Sequence, residues 1–192
     1  MSVSSLREAA DRLALMSVAQ LGCVRPLTMR TFTNSESRRW VKSQGLVYEP
    51  FRQGVVIAGQ FSIEDAKDGG EAARRAVLAV CRQASQALLV IEDHPLTYDD
   101  RRAQLAQLRT SHGESRSLED APGHLLRRQD HDTLTTLLRV AIGPGSWWST
   151  YIYLAPIKST MLVWESSLVD LWSDRHSDYS LLEHDLRETT AA

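Results

Sequence analysis

"WWSTYIYLAPIKSTMLVWESSLVDLW", residues 147 to 172, decides the fold class. Its three β-rich runs are "WWSTYIYLA", "STMLVWE" and "SLVDLW", each with alternating side chains. Short connections at Pro156 to Lys158 and Ser166 to Ser167 join them. Parallel neighbours would need a crossover of about a dozen residues or more, so the runs read as an antiparallel three-stranded meander.

Working back from the meander, Gly143-Pro144-Gly145 forces a break, and "DHDTLTTLLRVAI" before it reads as a helix. Residues 93 to 123 are polar, with a surface helix expected over 99 to 109 and loop elsewhere. "ALLVIE", residues 87 to 92, is continuously apolar up to Glu92 and is the best candidate for a central strand. The helix before it opens with a D-x-x-E box, Asp68 and Glu71, and carries Ala73, Val77, Val80, Cys81 and Ala84 at helical spacing.

Residues 46 to 49, "LVYE", and 54 to 61, "GVVIAGQF", read as a hairpin around Pro50 to Gln53. Residues 27 to 33 read as a strand, and Asn34 to Gln44 as a short helix stopped by Gly45. Residues 4 to 20 form an amphipathic pattern with Leu6, Ala9, Leu13 and Met16 near one stripe, and Gly22 as its stop. A last helix begins near Asp174 and turns Tyr179, Leu182 and Leu186 inward. Together these give one α+β domain over 1–192 with a polar, loop-rich middle. Its sheet is mixed or antiparallel, it contains the carboxy-terminal three-stranded meander, and its helices pack mostly on one face.

Composition narrows the function. Hydrophobic residues make up 43% and charged residues 24% of the 192, as in an ordinary soluble globular protein. A net charge of −2 supplies no field to collect nucleic acid or anionic lipid. No basic leader and no bilayer-length apolar run is present, so a cytoplasmic protein that binds neither nucleic acid nor membrane is expected. Cys23 and Cys81 lack metal spacing; Cys81 reads as a small buried hydrophobe in a reducing compartment, with one disulfide left open. His112, His124 and His131 show no zinc-type spacing, and no cofactor or metal is expected.

Thr33 and Glu36 in "TFTNSESRRW", residues 31 to 40, fit a T-x-x-E capping box. Arg38 and Arg39 follow in the first turns, where helix dipoles disfavour cations, so an anion-binding role is one reading. The plainer one pairs them with local acids such as Glu36 or Glu49.

Residues 36 to 40, Glu-Ser-Arg-Arg-Trp, resemble the Glu-Ser-basic-Arg-aromatic run of an uncharacterised bacterial family, mainly from actinomycetes. Arg175, His176, Ser177, Asp178 and Tyr179 resemble its carboxy-terminal Arg-His-Ser-Asp-aromatic run, and the middle is similar in layout alone. Where that family carries a Gly-rich acidic turn before the last strand, this chain has Glu165-Ser166-Ser167. The resemblance implies a fold class and no activity.

Glu92, Asp93 and His94 cluster where the apolar strand ends, with Asp99 and Asp100 close behind. Ligands often sit at the carboxyl ends of strands, and this set suits Mg²⁺, Mn²⁺ or acid/base work. Asp-His-Pro is equally turn chemistry, and Asp99-Asp100 equally a helix cap. His176 between Asp174 and Asp178 reads as the acid-rich first turn of a helix rather than a catalytic pair. Trp147 and Trp148 would face opposite sides of a strand; an exposed one is an interface candidate, and a helix over the second side is the plainer outcome.

Two function classes follow. The favoured one is a non-catalytic binding module with a protein partner, of adaptor or immunity type in a bacterial conflict or regulatory system. The alternative is a hydrolase acting on a phosphate-containing substrate, with or without a metal, using Glu92, Asp93 and His94 with Arg38 and Arg39.

Overall fold

Seven strands hydrogen-bond into one sheet, antiparallel at every pairing, in the computed structural model of the chain. The structure describes residues 29–62, 69–142, 146–164 and 168–190. The expected helix over residues 4–20, Cys23, the Asp68 cap, the Gly143–Gly145 break and the Glu165–Ser167 turn lie outside these, as do the side chains of Leu182 and Leu186.

In chain order the elements are β1 (Arg30–Phe32), α1 (Asn34–Ser43), β2 (Gly59–Ser62), α2 (Gly69–Cys81), β3 (Gln86–Glu92), α3 (Asp99–Ser111), β4 (Gly123–Arg127), α4 (His131–Ala141), β5 (Ser149–Ala155), β6 (Ser159–Trp164), β7 (Leu168–Trp172) and α5 (His176–Thr190). The sheet order is β1-β4-β3-β5-β6-β7-β2. The meander β5-β6-β7 sits inside it as expected, and the polar middle joins strands of the same sheet. No helix of the described residues is long and apolar enough to cross a membrane.

Antiparallel sheets often leave one face to water. Here Tyr151, Ile152, Tyr153 and Leu154 alternate between faces, yet none is more than 1% exposed. Both faces are therefore covered. On one side Leu89, Ile91, Ile152, Leu154 and Met161 pack against α2, α4 and α5, with Leu105 of α3 added at the margin. Val77 and Cys81 meet Leu89 and Ile91 in this core. Burial pushes the Cys81 thiol up to about 12, so it stays neutral as a small apolar group.

The second face is covered by α1 and by an irregular strap, residues 44–58. α1 starts as expected. Thr33 Oγ1 accepts the Glu36 N–H at 3.2 Å, and Glu36 Oε2 accepts the Thr33 N–H at 2.8 Å. The helix lies so close to β4 that a Cβ on Gly123 would collide with Ser37 Oγ, which is why glycine occupies that position.

The strap corrects the expected hairpin. Among the described residues, 46–49 pair with no strand, and only the end of the second run lies in a strand, Gly59–Ser62, bonded to β7. Glu49 adopts φ 49°, Val55 N–H returns to Pro50 O at 3.0 Å, and Pro50 has no N–H to offer a ladder. Leu46 and Ile57 turn inward while Val47, Val55 and Val56 face outward, so the apolar run is split between core and surface. The other difference is β4, "GHLLR", a strand at a place where the sequence predicts no element; it links β1 to β3.

Candidate functional site

β3 ends at Glu92, and three segments meet there: the strap, the 112–122 loop and the start of β5. A cavity of about 370 Å³ opens on the strap side, lined by Asn34, Glu49, Arg52, Glu92, Asp93, Leu118 and Glu119 among others. Arg52 Nη2 lies 2.9 and 3.0 Å from the two Glu92 oxygens, and its Nη1 lies 3.7 Å from Glu49 Oε2. Burial pushes the Glu92 carboxyl above the usual carboxylate range; Arg52 opposes that shift and Glu49 adds to it. Glu49 also gives its N–H to Tyr153 Oη at 2.9 Å, which fixes the strap to β5.

Asp93 turns the other way. Trp148 Nε1–H donates to Asp93 Oδ1 at 2.7 Å, and Arg102 holds the other oxygen. Arg102 Nη2 also donates to the His94 carbonyl, and His94 Nδ1 accepts the Leu96 N–H at 3.3 Å. The side chains of Glu92, Asp93 and His94 thus take separate partners. No group of three or more His, Cys, Asp or Glu among the described residues could hold a metal ion.

The far side of Asp93 opens on a second cavity of about 440 Å³, lined by Arg102, Arg109, Glu114, Arg116, Leu118, Glu119 and Trp148 among others. Leu118 and Glu119 line both cavities and form their common wall. That wall is ordered from beneath. Arg109 of α3 donates to Ala121 O (2.7 Å), Arg116 O (3.0 Å), Ser117 O (2.9 Å) and His124 Nε2 (2.8 Å). Glu114 accepts from Thr31 of β1 and from the Arg116 backbone and guanidinium, so its carboxyl sits well below the usual range.

Comparison with family models, curated proteins and solved structures gave no match. The site therefore rests on its own geometry.

Arg38 stands 5.2 Å from the Tyr48 ring centre as a cation–π contact. Arg39 is exposed and helps hold the Glu36 carboxyl low, behind the larger effects of Thr33. Neither lines the 370 Å³ cavity, although Asn34 at the head of their helix does. Trp148 is 1% exposed and Trp147 38% exposed. His176 is exposed and its ring stacks near Tyr179, whereas Asp178 is buried, accepting from Ser159 and Ser173 Oγ.

Sequence reasoning does not single out Arg52, Glu119 or Arg109, and it names Glu49 only as a local acid for Arg38 and Arg39. Nothing local marks them: Arg52 reaches its partner forty positions away in the chain. The one available signal was Arg109 in the last turn of a polar helix, and that position suits any cation by dipole alone.

Proposed function

We propose that the protein is a non-catalytic binding module, of adaptor or immunity type, that seats a basic side chain of a protein partner at the end of β3. The observation that carries this reading is the charge of the 370 Å³ cavity. Asp93 is balanced by Arg102, which leaves Glu49 and Glu92 sharing Arg52, with Glu119 on the wall beside them. A Lys or Arg entering there would meet excess negative charge in a partly desolvated recess, where attraction exceeds its value in bulk water.

A protein is favoured over a small cation by the surrounding surface. Phe51, Val55 and Val56 are exposed on the strap, Val56 to 88%. Leu96, Tyr98 and Trp147 are exposed on segments flanking the paired Glu92 and Ser149. Exposed aromatic and apolar side chains beside a charged recess match the make-up of a recognition surface.

The test is fluorescence anisotropy with two labelled peptides of equal length. In one, Arg lies between apolar residues; in the other, Glu replaces it. The basic peptide is expected to bind the wild type, and to weaken at least tenfold on the double variant Glu92→Gln, Glu119→Gln. Equal binding of both peptides, or no loss in the variant, would remove this reading.

A further inference from the structure

We infer that Arg52 is an exchangeable internal ligand: a guanidinium of the chain's own that fills the seat a partner's basic side chain takes. The inference rests on the reading above and names what occupies the same carboxylates before a partner arrives. The seat is visibly one for a guanidinium. Arg52 lines the cavity, puts one nitrogen within 3.0 Å of both Glu92 oxygens, and turns the other toward Glu49. One guanidinium nitrogen is shared by the two Glu92 oxygens while the other stands 3.7 Å from Glu49, and an incoming arginine would meet the same acceptors.

Three cations around this end of the sheet differ in how firmly they are held. Arg109 is 3% exposed and gives three hydrogen bonds to the loop beneath the wall and one to His124 of β4. Arg102 joins Asp93, the His94 carbonyl and the Thr97 carbonyl. The Arg52 side chain is 59% exposed, and its partners among the described residues are the Glu49 and Glu92 carboxylates. Ion pairs exposed to that degree contribute little stability, so Arg52 is the cation that leaves at low cost.

Its departure need not disturb the strap. Tyr48 stays stacked 5.9 Å from Tyr153, Trp172 Nε1–H still donates to Val55 O at 3.1 Å, and Phe51 stays edge-on to Trp164. A side-chain swing of Arg52 alone would uncover Glu92 and Glu49. The cover over the tyrosines would remain in place.

The experiment is chemical rescue on the full chain. Methylguanidine is titrated against the wild type and Arg52→Ala at constant ionic strength, with tetramethylammonium as the control cation, and melting is followed. A saturable rise of about 2–4 °C is expected in Arg52→Ala, with a clearly smaller rise in the wild type. Adding Glu92→Gln to Arg52→Ala should abolish it. Arg52→Gln, which keeps most of the stem, serves as the second vacated form and should respond as Arg52→Ala does. If neither vacated form responds more than the wild type, or if the response survives Glu92→Gln, the inference falls. Rescue without any binding of the basic peptide would keep Arg52 as an internal ligand and remove the protein-partner reading instead.

Discussion

Arg109 Nη1 donates to His124 Nε2 across 2.8 Å, and both side chains are buried without a carboxylate between them. The arginine is solvated by carbonyl dipoles instead, and in return it gathers the 116–121 backbone beneath the cavity wall. Arg109→Lys keeps the charge but cannot reach four acceptors in one plane. Loss of stability on the order of 2–3 kcal/mol is expected for either Lys or Ala, from buried acceptors left unpaired. Hydrogen exchange should rise at the Asp120 and Ala121 amides. Unchanged exchange there would show that the loop is ordered by something else.

The same pair sets a pH window. Burial pushes the His124 imidazole down to about 3, and the Arg109 charge adds to the shift. Nε2 accepts from Arg109, so the ring is neutral with its proton on Nδ1. Between about 3 and the ordinary value of 6.5 the unfolded chain binds the proton that the folded chain refuses. This contribution is fully present above 6.5 and is lost as pH falls, at up to about 1.4 kcal/mol per pH unit. The lowered Glu114 carboxyl adds to the loss below its ordinary value of 4.5, while the raised Glu92 carboxyl works the other way. Urea titrations at several pH values should give a shallower slope between 6.5 and about 4.5 for His124→Gln than for the wild type. Identical slopes would contradict the assignment.

Leu89 tests the core. It sits on β3, facing Val77 and Cys81 of α2, and is fully buried. Leu89→Ala should cost on the order of 2–5 kcal/mol through lost contacts and the space left behind. An unchanged denaturation midpoint would place the strand in the wrong register.

The elements that could be read in advance share one property: their signal is local. The meander declares itself by alternation and short turns, β3 by its apolar run, and α1 by a box of two residues three apart. β4 does not, because five residues containing a buried histidine become a strand only when β1 and β3 flank them. The strap misled for the converse reason: Val55 and Val56 look like strand residues but sit outside, held by contacts made by Tyr48 and Trp172. At the site, Glu92 and Asp93 were visible as a cluster, while the separation of their carboxylates onto Arg52 and Arg102 is tertiary.

Arg38 offers a smaller check on α1. Its charge lies over the Tyr48 ring, which is itself buried and whose hydroxyl burial pushes up to about 12. Arg38→Ala is expected to lower stability by about 0.5–1 kcal/mol, and Arg39→Ala by less than about 0.5 kcal/mol. Thr33→Ala, which removes the cap, should cost about 1 kcal/mol. Thermal melts of the three variants rank them directly, and an Arg39 effect larger than that of Arg38 would reverse this reading of the helix.

The central claim is that a basic side chain is recognised between the strap and the 112–122 loop. Amide chemical-shift mapping of the isotope-labelled wild type with the basic peptide tests it most directly. The account predicts saturable shifts concentrated at Glu49, Arg52, Glu92 and Glu119, with Phe51 and Trp147 at the margin. Shifts confined to the first turns of α1 around Arg38 and Arg39, or no saturable shifts at all, would contradict it.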